Sequence, residues 1–141
     1  MEINLAEEKD IDEILNLQKQ IYRVEEISPN AHQTLINQIK NDSCDVVVVK
    51  NKDKVVATAT IYYIHVALRG KPYAFLEGLV VHEIHRGKGV GTEFIKKCID
   101  IAHQKGCYKF IFTSGKDREE AHQFYEKLGF KIWGKEFRKD L

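Results

Sequence analysis

Apolar residues recur along this chain in two rhythms, one helical and one alternating, and the switches between them predict ten elements. Residues 1–5 suit a short first strand. In residues 7–22, Ile11, Ile14, Leu15, Gln18 and Ile21 recur near the helical period, with Leu17 off that face. Ser28, Pro29 and Asn30 break the pattern, and residues 31–41, with Leu35, Ile36 and Ile39, predict a second short helix. Residues 45–50 and 55–66 are β-type runs around a polar turn, which predicts a hairpin. A turn at 69–72 leads into a third run, 73–81, interrupted by Glu77 and Gly78. Three consecutive strands with short connections predict antiparallel pairing. Ile95, Cys98, Ile99 and Ala102 then mark one face of an amphipathic helix that stops at Gly106. Residues 108–113 read as a strand, and its helical connection predicts that it runs parallel to 73–81. Residues 118–128 read as a helix with Ala121, Phe124, Tyr125 and Leu128 on one face, ended by Gly129, and residues 130–137 read as a last strand. The order β-α-α-β-β-β-α-β-α-β predicts an α+β fold: one mixed, mostly antiparallel sheet with helices on both faces, forming a single domain over 1–141.

The glycines concentrate where the third run passes into the long helix. Arg86, Gly87, Lys88, Gly89, Val90, Gly91 and Thr92 follow one another there. The first N–H groups of a helix lack internal partners and carry the positive end of its dipole. Glycines let a phosphate approach them, and Arg86 and Lys88 add charge, so the segment suits a phosphorylated cofactor. A G-x-G-x-x-G loop would need glycine where Thr92 stands. The Walker pattern needs Ser or Thr after Gly87-Lys88, where Gly89 stands. The plain alternative is a glycine-rich turn without a ligand. The R-G-x-G-x-G spacing after an apolar strand resembles the acetyl-CoA pyrophosphate loop of the GNAT superfamily of N-acetyltransferases.

A second segment carries the same resemblance. Residues 121–130, Ala-His-Gln-Phe-Tyr-Glu-Lys-Leu-Gly-Phe, look like that family's A-x-x-F/L-Y-E-K-x-G-F motif, and the element order is also the family's. The resemblance implies an acetyl-CoA-dependent transfer to an amine by direct attack in a ternary complex. It implies that the pantetheine arm pairs with free backbone groups of Leu79, Val80 and Val81, one of whose N–H groups also stabilises an oxyanion. It implies that the phosphates lie on residues 86–92. Tyr125 matches the family's general acid, where a hydroxyl near the leaving thiolate donates a proton. A thiol near ~8.5 and a phenol near ~10 make full transfer uphill by about 2 kcal/mol. Partial donation, or a Tyr125 lowered by the helix terminus and basic neighbours, is therefore expected. Many members carry Asn where this chain has Arg118, so Arg118 or Ser114 is the candidate replacement for that contact with the cofactor arm.

Glu77 is the candidate base, at a position where the resemblance implies an acid that binds or deprotonates the amine. An amine enters as an ammonium and must lose a proton before attack. Glu77 lies amid apolar residues of a strand, on the same face as Leu79 and Val81 by the period of two, and a carboxylate there needs a partner or a task. A salt bridge to a neighbouring strand is the structural alternative. Gly78 in mid-strand points to a bulge or to close packing.

Composition narrows the partners. The chain has 141 residues with 22 basic and 21 acidic side chains, a net charge of +1, which gives no bulk attraction to nucleic acid or membrane. Cys44, Cys98 and Cys107 have neither metal-type nor C-x-x-C spacing and read as reduced thiols of a cytoplasmic protein; no metal is implied. A small-molecule amine is the expected acceptor, and the resemblance implies that its pocket is built by the first two helices and the hairpin loops, which here offer Tyr22, Arg23, Glu25, Glu26, His32, Tyr62 and Tyr63. Transfer to a protein or peptide amine, or a non-catalytic acyl-CoA-binding regulatory module, are the alternatives. The resemblance implies a homodimer, for which an exposed last strand with Ile132 and Trp133 would supply an edge or apolar patch.

Overall fold

A computed structural model describes all residues from Met1 to Leu141. It divides into two compact units, Met1–Ile111 and Phe112–Leu141. The first holds β1 (Glu2–Leu5), α1 (Ile11–Tyr22), α2 (Ala31–Lys40), β2 (Cys44–Asn51), β3 (Lys54–Val66), β4 (Lys71–Val81), α3 (Val90–Gln104) and β5 (Phe110–Ile111). The second holds α4 (Glu119–Lys127). No helix is long and apolar enough to cross a membrane.

The sheet runs β1-β2-β3-β4-β5, antiparallel except for the parallel β4–β5 pair. This is the mixed, mostly antiparallel α+β sheet expected from the pattern. Direct partners in a ladder share a face, and the register therefore assigns the two sides. Val46, Thr60 and Glu77 lie across from one another, as do Val48, Thr58 and Val80. On that side Val46, Val48, Val55 and Val80 form one apolar cluster with Ile11, Ile14 and Leu17 of α1 and Leu35 of α2. Leu17 is 3% exposed, so it belongs to the buried face and not outside it. The apolar stripe of α1 is wider than the i, i+3, i+4 reading allowed. Val47, Val49, Ala57, Ala59, Ile61 and Ala74 are buried on the opposite side. There α3, burying Phe94, Ile95, Cys98 and Ala102, packs on β3 and β4.

Glu77 differs from its expected place. Between the Thr60–Glu77 and Thr58–Val80 pairs, β3 advances two residues and β4 three. The extra residue is a β-bulge, and Gly78 takes it at φ +67°, a conformation suited to glycine. The bulge reverses the alternation, so Glu77 shares a face with Val80 and not with Leu79 and Val81. Close packing also holds there: a Cβ on Gly78 would stand 3.2 Å from the Tyr22 hydroxyl.

One buried ion pair pins the start of α1 to the sheet. Lys50 Nζ lies 2.8 Å from Asp10 Oδ1, and Asp10 Oδ2 accepts the Glu7 N–H at 2.9 Å. The Asp10 hydrogen bond raises the Lys50 ammonium above its ordinary range, against the opposing effect of burial.

Two expected strands are altered. The 108–113 run forms a ladder only at Phe110–Ile111. Residues 130–137 form no strand. Ile132 and Trp133 are adjacent, so alternation would send them to opposite faces, and charged residues and Gly134 interrupt the rest; Ile132, Trp133 and Phe137 are exposed. The segment has apolar content without the period that makes a strand.

Candidate active site

The loop after β4 is shaped by backbone. A 3₁₀ turn, Glu83–His85, precedes it, and Gly87 and Gly89 take φ of +71° and +84°. Gly89 is the N-cap of α3, and no side chain caps that end. A Cβ at Gly87 or Gly89 would meet nothing within 4 Å, so open space lies above this turn. Val90, Gly91 and Thr92 supply the first helical N–H groups, while the first intrahelical bond runs from Glu93 N to Gly89 O at 3.1 Å. Arg86 Nε donates to the Val81 carbonyl at 2.8 Å, and Lys88 Nζ donates to the Ile84 carbonyl at 2.9 Å. Both basic side chains thus brace the loop that carries them.

The strand leading into this loop runs on past the end of its ladder with β5. β4 pairs with β5 only at Ala74–Phe110 and Phe75–Ile111, although β4 continues to Val81. From Leu76 onward the edge of β4 that faces away from β3 has no strand beside it. Leu79, Val80 and Val81 lie on this stretch; the Val80 side chain is buried in the core, and the Val81 carbonyl is taken by Arg86.

On the α1–α2 side of the sheet lies a cavity of about 340 Å³ into which Glu77 projects. Tyr22 donates its hydroxyl to Glu77 Oε1 at 2.7 Å, so the carboxylate is positioned by a helix end 55 residues away in sequence. Burial first, then this hydrogen bond, pushes the Tyr22 phenol well above its usual value. Tyr62 accepts a hydrogen bond from Gln38 Nε2 at 2.6 Å, and burial raises its phenol too. Of the side chains expected at the acceptor pocket, Tyr22 and Tyr62 line this cavity. Arg23, Glu25, Glu26 and His32 are exposed and do not line it. Tyr63 lies on the other face of the sheet and donates to Asp45 Oδ2 at 2.6 Å. The sequence reading missed Thr34, Gln38 and Thr60. A signal existed: Thr34 and Gln38 are polar at i, i+4 beside the buried Leu35, and Thr60 is polar inside the hairpin run.

In the second unit, Tyr125 packs against Phe112 and Phe130, with ring centroids 4.5 and 6.3 Å apart. The helix ends as Gly129 takes φ +92° and Phe130 N donates to the Tyr125 carbonyl at 3.1 Å. Burial pushes the Tyr125 phenol up, and Arg118 only partly opposes this. The expected lowering by basic neighbours does not occur. Arg118 is the N-cap of α4 without a side-chain capping bond. The Ser114 hydroxyl is buried with no hydrogen-bond partner.

No three His, Cys, Asp or Glu side chains converge as a metal site would need, and the three cysteines are free. Burial pushes the Cys98 thiol up to about 12, which suits core packing.

The family model described as Acetyltransferase (GNAT) family matches residues 11–130. Glucosamine 6-phosphate N-acetyltransferase of Trypanosoma brucei brucei is 39% identical over 72 residues, 51% of this chain and 47% of that protein. Thialysine N-epsilon-acetyltransferase of Mus musculus is 33% identical over 75 residues, 53% of this chain and 44% of that protein. The chain thus matches about half the length of these curated relatives. The solved structure of a putative acetyltransferase from Agrobacterium tumefaciens aligns over all of both chains with a TM-score of 0.91 at 25% identity. With the family model covering most of its length, this chain belongs to the GNAT family of acetyltransferases.

Proposed function

We propose that this chain moves an acetyl group from acetyl-CoA to the primary amine of a small molecule, by direct attack with both bound. The observation that carries the reading is the run of β4 beyond the end of its ladder with β5 at Phe75, leading into a helix N-terminus that no side chain caps. These features fit an acyl-CoA: residues 86–92 would hold its phosphates, and the free edge of β4 at Leu79 and Val80 would hold the amides of its arm. The orphaned Ser114 hydroxyl, with Arg118 four residues on, is the replacement we assign for the family's Asn contact. When bound, acetyl-CoA supplies a thioester whose C–S bond breaks as the amine nitrogen bonds the carbonyl carbon.

Glu77 receives the acceptor's ammonium. Tyr22 holds Oε1, which leaves Oε2 without a protein donor to take the ammonium proton, directly or through water. Tyr125 Oη is the proton donor by its match to the family motif. Its raised pKa makes it a donor of a hydrogen bond more than of a whole proton. We also carry forward a homodimer, now through the exposed Ile132, Trp133 and Phe137 side chains and not through a strand edge. A monomer mass by light scattering at high micromolar concentration removes that part.

The test is free-thiol release from acetyl-CoA across a panel of small amines, for the native chain and Tyr125→Phe. The ring is kept, so packing against Phe112 survives and only the hydroxyl is lost. We expect kcat to fall roughly 10²–10⁴-fold with little change in KM. Normal turnover with a lower melting temperature would make Tyr125 a packing residue. Thiol release with no amine, alongside intact CoA binding, would favour a non-catalytic acyl-CoA-binding module.

A further inference from the structure

The cavity around Glu77 has a one-sided charge. Glu77 is the only ionisable acid or base in its lining apart from the two phenols. Gln18, Ser28, Asn30, Thr34, Gln38 and Thr60 contribute amides and hydroxyls. Of the cations nearest in sequence, Lys19, Arg23 and His32, none lines the cavity. Arg23 is exposed beyond the end of α1, and His32 Nε2 lies 4.0 Å from Asp12 Oδ1. At about 340 Å³ the cavity is at the small end of ligand sites, which run from ~300 to ~1,000 Å³.

Resting on the transferase reading above, we propose that this cavity selects a small hydroxylated primary amine that carries no phosphate or carboxylate. The ammonium pairs with Glu77, the charge-matched partner, while hydroxyls of the acceptor exchange hydrogen bonds with the neutral wall. One wall of the cavity is open, its Ser28, Asn30 and Thr34 being exposed, yet an anionic group on so small a molecule would still lie near Glu77 with no cation in the lining to offset it. Like charges in a partly desolvated site cost affinity and thereby discriminate. The raised phenols of Tyr22 and Tyr62 keep that wall neutral well past neutral pH. This departs from the phosphorylated amino sugar named for the trypanosomal relative. The resemblance to that protein spans only half of this chain and does not fix the acceptor.

Two matched pairs test it: glucosamine against glucosamine 6-phosphate, and ethanolamine against O-phosphoethanolamine. Each is titrated calorimetrically into the full chain with CoA present, and each is assayed for thiol release. We expect the phosphorylated member of each pair to bind at least about tenfold more weakly, the effect of one unpaired charge. Asn30→Arg, which adds a cation to the lining, should narrow that gap, and so should Glu77→Gln, which removes the repelling charge. Equal or tighter binding of the phosphorylated amines would overturn the proposal. So would binding of none of the four. The transferase reading fails separately: selective binding without thiol release from any amine removes acetyl transfer and leaves the cavity's selectivity standing. Thiol release that is faster with the phosphorylated amines does the reverse.

Discussion

The two halves of the candidate site are made of different material. The loop at residues 86–92 is seven consecutive residues whose shape comes from two glycines at positive φ and an uncapped helix end. The Glu77 cavity is built from residues of α1, the connection to α2, α2, β3 and β4, and its central hydrogen bond joins residues 55 apart in sequence. In the loop, bulk is the enemy, since any added side chain narrows the approach to backbone N–H groups. In the cavity, loss is the enemy, since side chains make every wall but the stretch at Gly78. Substitutions that add to one half and subtract from the other should therefore separate cofactor binding from acceptor chemistry.

The largest effect should come from adding to the loop. Gly89→Asp introduces a side chain at φ +84° and a negative charge at the positive end of α3. Calorimetric CoA binding should fall below detection. Gly89→Asn, which tolerates that φ and is neutral, should keep more affinity. Arg86→Ala removes a cation and the brace on the Val81 carbonyl, and should weaken CoA by about 1.5–3 kcal/mol. Unchanged CoA affinity in a folded Gly89→Asp protein would mean that the phosphates bind elsewhere.

Subtracting from the cavity should leave CoA affinity alone. Glu77→Gln keeps the volume and the bond from Tyr22 but removes the base. At about pH 6.5 we expect kcat/KM for an amine to fall roughly 10²-fold. The deficit should shrink toward about pH 9.5, because an amine of pKa near ~10 is then increasingly free without help. A deficit that stays constant with pH would make Glu77 a binding group alone. A change in CoA dissociation constant would mean that the two halves are not separable.

The same contrast governs what was legible in the sequence. The loop could be read because its function is local: glycines, a strand before and an amphipathic helix after. Most of the sheet could be read for the same reason, each hairpin being set by adjacent runs. Glu77 was visible as an out-of-place carboxylate, but its face was not. Gly78 hints at a bulge, yet only pairing with β3 decides which residue is doubled and hence which way Glu77 points. Thr60 and Gln38 look like ordinary hairpin and helix residues until the fold brings them to one cavity. The strand expected at 130–137 failed for the converse reason. Apolar content was read there without the alternation or the ladder that a strand requires.

The smallest expected effect is an alkaline loss of stability that distinguishes the cavity tyrosine from one on the far face. Tyr22 and Tyr63 both donate to a carboxylate, and burial, the larger cause, together with that bond raises both phenols. The folded chain therefore holds these protons more tightly than the unfolded chain does. Their contribution to stability is present in full below the free phenol's value of ~10 and is lost as pH climbs toward the folded values. Lys50, raised by Asp10, has the same sign and the same alkaline window. Tyr22 is 50% exposed and Tyr63 is 7% exposed, so solvent screens the first much more than the second. Melting temperatures measured from about pH 9 to about pH 11 should fall by a few degrees, equivalent to ~1 kcal/mol. Tyr63→Phe should start lower by about 0.5–1.5 kcal/mol, the worth of its hydrogen bond, and should then lose less with pH, so that its curve approaches the native one. Tyr22→Phe should run nearly parallel to the native curve. If Tyr22→Phe flattened the alkaline limb as much as Tyr63→Phe, the cavity would be drier than its open wall implies, and its hold on Glu77 correspondingly stronger. Identical slopes in all three proteins would mean that neither phenol is held by its carboxylate in solution.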